Sequence, residues 1–302
     1  MSSNATPCVE MRAQRRNREH ADTTKDPAAD DDADEAQIVA EKSIAEIEAE
    51  RLRQARDEGN YIDLTWDKDT CVSAAKGGNL EVLQWTRANG CPWDSDTCAT
   101  AAEGGHLEVL QWARANGCPW DAETCGGAAE GGHFEVLQWA RANGCPWGTL
   151  TCSCAAMGGH FEILKWLREN GCPWNVDTCA NAAKGGHLEM LQWALANGCP
   201  WNEQSMFVAA QNGHEAIVRA LIEAGADVNN ARNAGATPLY FAAREGHGAV
   251  VRALIEMGAD VNKARDNGGT PLITATQKGH EAVVRALIEA GADINKADDG
   301  HE

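Results

Sequence analysis

The sequence predicts an all-α solenoid built from stacked helix pairs, and three observations support this prediction. Tryptophan, cysteine and histidine recur every 27 residues through the middle of the chain. After Trp201 the step becomes longer, as it runs from His214 to His247 and then to His280. Each period holds two stretches of helical apolar spacing separated by glycine, and units of this size bury their apolar faces by stacking on their neighbours.

The shorter unit reads WDxDTCxxAAxGGHLEVLQWARANGCP, where x is any residue. We expect its first helix to begin near Asp69 and Thr70, because both residue types accept hydrogen bonds from the exposed amides of a helix start. Cys98, Ala101 and Ala102 are three and four residues apart and so share one face of this helix. Such small residues allow neighbouring units to approach closely.

Glycine marks the end of both helices in the shorter unit. Gly104 and Gly105 are expected to stop the first helix, since glycine tolerates the left-handed conformation that a helix end often needs. His106 then opens the second helix, and Asn116 with Gly117 stops it.

The longer unit carries three motifs that recur at the same positions in the next copy. They are Thr237-Pro238-Leu239, Gly246-His247 and Gly258-Ala259-Asp260. The longer unit resembles the common ankyrin repeat. The resemblance is specific for residues 202–299 and extends to residues 61–299, where the shorter units share the core pattern but lack Thr-Pro-Leu and six residues of the link.

This resemblance implies an ankyrin-type helix-pair solenoid with short β-hairpin turns only in the C-terminal repeats. The turns are expected at residues 229–236 and 262–269, where Gly235 and Gly268 suit a positive φ. The shorter units have no room for such a hairpin, and we expect a plain tight turn at their Cys-Pro-Trp sequence.

Four sections are predicted along the chain. Residues 1–35 are expected to be a disordered acidic tail, because they are too polar to bury a core. Residues 36–60 favour helix and would form an arm or an N-terminal cap. Residues 61–201 would hold five 27-residue repeats and residues 202–302 about three 33-residue repeats. The chain stops in a link without the polar capping unit that solenoids need, so we expect it to be truncated or a fragment.

Composition argues against a nucleic-acid partner, a membrane span and secretion. The formal net charge is -19, and this acidic balance argues against nucleic acid as a partner. No apolar run is long enough to span a membrane, and the N-terminus lacks the apolar core of a secretory signal. We expect a monomeric cytoplasmic protein, with nuclear import as an alternative because of the basic cluster Arg12, Arg15, Arg16 and Arg18.

The periodic cysteines and histidines are interpreted as structural. Cys91 and Cys98 are seven residues apart, unlike the close pairs of zinc sites, and alanine or leucine takes their places in the longer units. This substitution pattern indicates buried core thiols. Cys154 breaks the period, so we expect it to be exposed, which leaves a redox role open. The histidines occur once per unit and do not converge, which favours structural hydrogen bonds.

The sequence predicts a protein without catalytic, cofactor or metal sites, because no nucleophile–base pair, phosphate loop or metal-binding signature is visible. The ankyrin resemblance implies a scaffold or adaptor that binds another protein in the groove formed by the short helices and hairpin tips. Two alternatives stay open: a binding subunit of a larger complex, such as a ligase or kinase adaptor, and a thiol protein that responds to redox state or metal.

The residues expected to contact the partner lie at the ends of the first helices and at the hairpin tips. They are Glu130, Met157, Gln211, Asn212, Asn233, Ala236, Arg244, Glu245, Asp266, Asn267, Gln277 and Lys278. In the shorter units the second of the two groove positions is always glycine, so the longer units offer the more varied surface.

Overall fold

A computed structural model describes residues 67–295 of the chain, except for the side chain of Asn233. These residues form sixteen α-helices in eight consecutive pairs, with one 3₁₀ turn (Asn233–Gly235) and no β-strand among them. The predicted all-α stack of helix pairs is confirmed. The predictions for residues 1–35 and 36–60 lie outside the described residues.

Each unit contributes a first and a second helix to the stack. The first helices are α1 (Lys68–Lys76), α3 (Ser95–Glu103), α5 (Ala122–Glu130), α7 (Thr149–Met157), α9 (Val176–Lys184), α11 (Glu203–Gln211), α13 (Pro238–Glu245) and α15 (Pro271–Gln277). The second helices are α2 (Leu80–Ala88), α4 (Leu107–Ala115), α6 (Phe134–Ala142), α8 (Phe161–Glu169), α10 (Leu188–Ala196), α12 (Glu215–Glu223), α14 (Gly248–Glu256) and α16 (Glu281–Glu289). Each first helix packs on its own second helix and on the first helices of adjacent units.

The first helices begin earlier than the sequence suggested. The cap of α1 is Asp67, whose carboxylate accepts a hydrogen bond of 3.2 Å from the Thr70 amide. Asp69 and Thr70 therefore lie inside the helix. Asp67 has extended backbone dihedrals, which let its side chain reach back over the helix start. The same cap position is Asp121 in α5 but Gly148 in α7, which has no side chain to offer.

The predicted helix ends are confirmed. Gly104 caps the end of α3, and Gly105 follows with a φ of +76°. His106 is the cap residue of α4, which ends at Asn116 before Gly117 with a φ of +83°. Glycine is required at these two turns because a side chain there would strain the left-handed backbone.

Histidine hydrogen bonds tie five of the described units to the units before them. Nε2 of His106 lies 2.9 Å from the carbonyl oxygen of Lys76, the last residue of α1. His160 and His280 make the corresponding bonds of 2.9 and 3.0 Å to Glu130 and Arg244. Because a carbonyl only accepts, the imidazole N–H is the donor. The structural role predicted for the histidines is confirmed.

Aromatic pairs fill the links of the shorter units. Trp93 follows α2 and packs edge-on against Trp112 of the next unit, with ring centroids 5.8 Å apart. The guanidinium of Arg87 lies over the Trp93 ring, 4.0 Å from its centre. Both tryptophans are half-buried. The arrangement recurs in the next three units, so the shortened link is closed by an arginine and two tryptophans.

The links of the longer units form the expected turns. The Arg232 amide donates to the Ala236 carbonyl and the Arg265 amide donates to the Gly269 carbonyl, both at 2.9 Å. The Asp266 amide donates to the Ala234 carbonyl at 3.0 Å and so joins the two turns. Gly235 and Gly268 have φ values of +74° and +82°, as their positions predicted. The hydrogen bonds close turns without producing a strand in the described residues.

Two glycines in one unit give opposite predictions for substitution by alanine. A Cβ on Gly131 would lie 2.2 Å from the carbonyl oxygen of Glu103 in the preceding unit, although its φ of -75° suits any residue. We expect Gly131→Ala to destabilise the protein by about 1–3 kcal/mol through overpacking. In Gly126→Ala the new Cβ would meet its nearest neighbour, Cys154 Sγ, at 3.5 Å.

Gly126→Ala is the matched control, because alanine favours helix over glycine and the site has room. We expect it to stabilise the protein by about 0.5–1 kcal/mol. Urea unfolding followed by circular dichroism measures both variants. Equal changes in the free energy of unfolding for the two variants would contradict the claim that close approach between units requires glycine at position 131.

The pairing of Trp93 with Trp112 predicts a measurable coupling. In a double-mutant cycle with Trp93→Ala and Trp112→Ala, we expect an interaction energy of about 0.5–1.5 kcal/mol from the edge-on contact. The same cycle with Trp93 and Trp139, whose ring packs against Trp120, serves as the control and should be additive. Additive effects for Trp93 and Trp112 would contradict the packing described for the link.

Candidate partner-binding surface

The predicted contact residues follow the ends of the first helices and the two long links. Asn212, Glu245, Asp266, Asn267, Gln277 and Lys278 are exposed, whereas Glu130, Met157, Gln211 and Arg244 are half-buried. The side chain of Asn233 lies outside those that the structure describes.

Ala236 is the exception among the predicted contact residues, because it is only 4% exposed. Its carbonyl closes the turn by accepting from the Arg232 amide, and it directly precedes Thr237, the cap of α13. This position draws the methyl group into the core. Ala236 therefore offers no side chain to a partner.

The backbone at these helix ends is already engaged. The carbonyl of Gln211 accepts from His247 at 2.9 Å, and that of Arg244 accepts from His280 at 3.0 Å. These bonds hold the last residues of α11 and α13 in place. The side chains that follow are consequently presented from fixed backbone positions.

Close approach between units explains the glycine at the second groove position of two shorter units. A Cβ at Gly131 or Gly158 would lie 2.2 Å from the carbonyl oxygen of Glu103 or Glu130 in the preceding unit. The longer units hold larger side chains there, including the exposed Asn212 and Glu245. At this groove position these two units therefore present no side chain, because one would clash with the preceding unit.

An aromatic–arginine cluster lies where the first helices of two longer units meet their links. It consists of Phe207, Tyr240, Phe241, Arg232, Arg244 and Arg265. Phe241 packs edge-on against Phe207 and Tyr240, with ring centroids 5.9 and 6.0 Å apart. The contact between Phe207 and Phe241 joins α11 to α13.

Each ring of the cluster is covered by an arginine. The guanidinium carbons lie 5.4 Å from the Phe207 ring for Arg232 and 5.1 Å from the Phe241 ring for Arg244. Arg265 lies 5.0 Å from the Tyr240 ring and also donates to the Tyr240 hydroxyl at 3.2 Å. Such cation–π contacts hold the guanidinium groups in defined places.

Sequence reasoning found Arg244 but missed the other five members of this cluster. A signal was present, since Arg232 and Arg265 occupy the same position in successive links. Tyr240-Phe241 also departs from Ile273-Thr274 at the same place in the next unit. The contact between Phe207 and Phe241 spans two units and is not visible in either pattern alone.

The cluster is locally cationic although the chain as a whole is acidic. Three guanidinium groups lie in it, and Arg244 pairs with Glu245 at 2.7 Å. Lys278 is exposed on the next unit, and Asp266 is exposed on the adjacent turn. Phe207 and Tyr240 are buried, so the half-buried Phe241 is the ring that this surface presents beside positive and negative groups.

The periodic thiols lie in the core, as predicted. Cys98, Cys118 and Cys125 have no exposed surface, for example. Among residues 67–295, no three histidine, cysteine, aspartate or glutamate side chains form a metal-binding group. The expected exposure of Cys154 is wrong, since it is 1% exposed. Its thiol packs against Gly126 of the preceding unit, at 3.5 Å from the position of a Cβ on that glycine.

Comparison with known families now identifies the class of protein. A family model described as ankyrin repeats in three copies matches residues 179–265 and 232–298. A second, described as ankyrin repeats in many copies, matches residues 152–195. The chain is an ankyrin repeat protein.

The family assignment bears on function at a coarse level. Ankyrin repeats typically mediate protein–protein interactions and are usually non-catalytic, and no catalytic family matches. No curated protein matches the chain. None of the helices between residues 67 and 295 has both the length and the apolar character needed to cross a bilayer.

Proposed function

We propose that this protein is a non-catalytic scaffold or adaptor that binds a partner protein through its longer units, with the aromatic–arginine cluster as the anchor. The observation that carries the proposal is the covering of Phe207, Tyr240 and Phe241 by three arginines. Tyrosine and arginine are enriched among the residues that dominate interface energies. Phe241 and Arg244 are both half-buried, so part of each side chain is open to a partner.

The contacts within the cluster favour binding because they order the side chains beforehand. Arg265 is fixed by the Tyr240 hydroxyl, and Arg244 is fixed by Glu245. Side chains that are already ordered lose less conformational entropy when a partner binds. Guanidinium groups in such positions suit a partner surface with carboxylates beside an apolar side chain.

Around this anchor the exposed helix ends would provide polar contacts. We assign this role to Gln211, Asn212, Asn233, Glu245, Asp266, Asn267, Gln277 and Lys278. Glu130 and Met157 would contribute only for a partner long enough to extend over the shorter units. This assignment divides the chain into a uniform section at residues 61–201 and a recognition section at residues 202–302.

Affinity capture followed by mass spectrometry tests the proposed function. The full chain is compared with Phe241→Ala combined with Arg244→Ala, and we expect the captured partner to fall at least about tenfold, the effect of losing one dominant contact. Lys184→Ala is the matched control, because Lys184 is exposed at the same helix end in a shorter unit. It should capture the partner as the unmodified chain does.

A charge reversal separates binding from folding in this test. Arg244→Glu keeps Phe241 in place, and unfolding curves show whether the variant is folded. We expect it to lose the partner while its thermal midpoint changes little. Identical partners for the unmodified chain and both groove variants would place recognition on another surface.

A further inference from the structure

Ten cysteines form five pairs, one in each shorter unit. The helix cysteines lie in the first turn of each first helix and are Cys71, Cys98, Cys125, Cys152 and Cys179. The turn cysteines follow each second helix at a constant separation from the helix cysteines and are Cys91, Cys118, Cys145, Cys172 and Cys199. All ten are buried.

The two thiols of the first pair are in contact. Sγ of Cys71 lies 3.1 Å from Sγ of Cys91. The other four pairs occupy the same two positions of their units. In each of them the neighbouring turn cysteine raises the pKa of the helix cysteine. The turn cysteine is held from a second side as well, since Cys118 donates to the carbonyl of Asp94, the cap of α3, at 3.3 Å.

Packing alone does not require two thiols at these positions. In the longer units the same positions hold Leu239 with Ala259 and Leu272 with Ala292, and this pattern also builds a core. Within residues 67–295 the two cysteines occur together in every shorter unit, and neither occurs in the longer units. What a pair of thiols adds to a leucine–alanine pair is redox chemistry.

We propose that each thiol pair is a site of reversible disulfide formation within its own unit, with a hydroperoxide as the oxidant. A disulfide has an S–S length of about 2.05 Å and tolerates a limited range of Cβ positions. Cys71 and Cys91 already lie within about 1 Å of that length, so a small movement of the turn completes the bond.

The reaction proceeds in two balanced steps. The thiolate of the turn cysteine attacks one peroxide oxygen, an S–O bond forms, the O–O bond breaks, and the leaving hydroxide takes a proton to become water. The helix cysteine then attacks the sulfenic sulfur, an S–S bond forms, the S–O bond breaks, and a second water leaves with the remaining proton. Two thiols and one hydrogen peroxide give one disulfide and two waters.

The turn cysteine is suited to the first step by its position. Cys118 is buried, but its neighbours Gly117 and Pro119 are both exposed. Its thiol therefore lies directly beneath a turn that is open to solvent. In the next three units, a hydrogen bond from the helix cysteine lowers the pKa of the turn cysteine. In the first unit, burial instead raises the pKa of Cys91 to about 12. We therefore expect the Cys71–Cys91 pair to react slowest.

Oxidation would stiffen one part of the chain and leave the other unchanged. Each disulfide would close a loop that spans most of a helix pair, which restricts the unfolded unit. The longer units have no such pair between residues 202 and 295, so the proposed partner surface would not respond.

Peptide mapping of the folded, reduced full chain tests the proposal. The protein is treated with hydrogen peroxide without denaturant, the remaining thiols are alkylated, and cross-linked peptides are identified by mass spectrometry. We expect links only between the helix cysteine and the turn cysteine of the same unit, each lowering the mass by about 2 Da through loss of two thiol hydrogens. Dithiothreitol should reverse them, and the oxidised protein should unfold at least about 5 °C higher.

The longer units supply the matched control. Cys98→Leu with Cys118→Ala copies Leu239 and Ala259, so this variant should match the unmodified chain when reduced and lose one cross-link when oxidised. Links between different units, oxidation to sulfinic acid, or thiols that resist peroxide in the native state would overturn the proposal. The mapping of the unmodified chain decides the question even if the variant does not fold, and neither result depends on partner binding.

Discussion

The stack depends on a hydrogen bond that leaves one unit and ends in the unit before it. The imidazole at the start of α4, α8, α12, α14 and α16 donates to a carbonyl at the end of the first helix of the preceding unit, as His106 does to Lys76. Helix ends leave such carbonyls without an intrahelical partner, and the imidazole supplies one. It also sets the distance between units. The ring occupies the space beside Gly78, where any Cβ would lie 2.5 Å away. The repeated Gly-Gly-His sequence therefore acts as one packing unit.

Shortening the link changes how the rest of each unit is packed. In the longer units the link closes on its own backbone, as Arg265 does with Gly269. The shorter units replace that turn with the pairing of Trp93 and Trp112 and the arginine above it. The Arg141 guanidinium, which lies over Trp147, also donates to the Cys145 carbonyl at 3.3 Å, so arginine, tryptophan and cysteine hold the link together. Aromatic packing thus replaces a hydrogen-bonded turn.

The two kinds of unit consequently present different chemistry. In the shorter units, close stacking leaves no room for a side chain at groove positions such as Gly131. Their thiol pairs lie in the core. The longer units have room for exposed side chains and for links that carry Arg232 and Arg265 over the aromatic rings. Recognition and redox response are therefore proposed for separate sections of one continuous stack, and each section could change without disturbing the other.

The sequence by itself determined the helix pairs and the residues that end them, because these depend on spacing and on hydrogen bonds between near neighbours. Gly105 and Asn116 marked helix ends correctly for this reason. Contacts between units were decided only by the tertiary structure. Cys154 is buried against Gly126 of the preceding unit, and Phe207 meets Phe241 across two units. A periodic sequence shows which residues occupy equivalent positions in successive units. The distance between adjacent units follows from how closely their backbones pack.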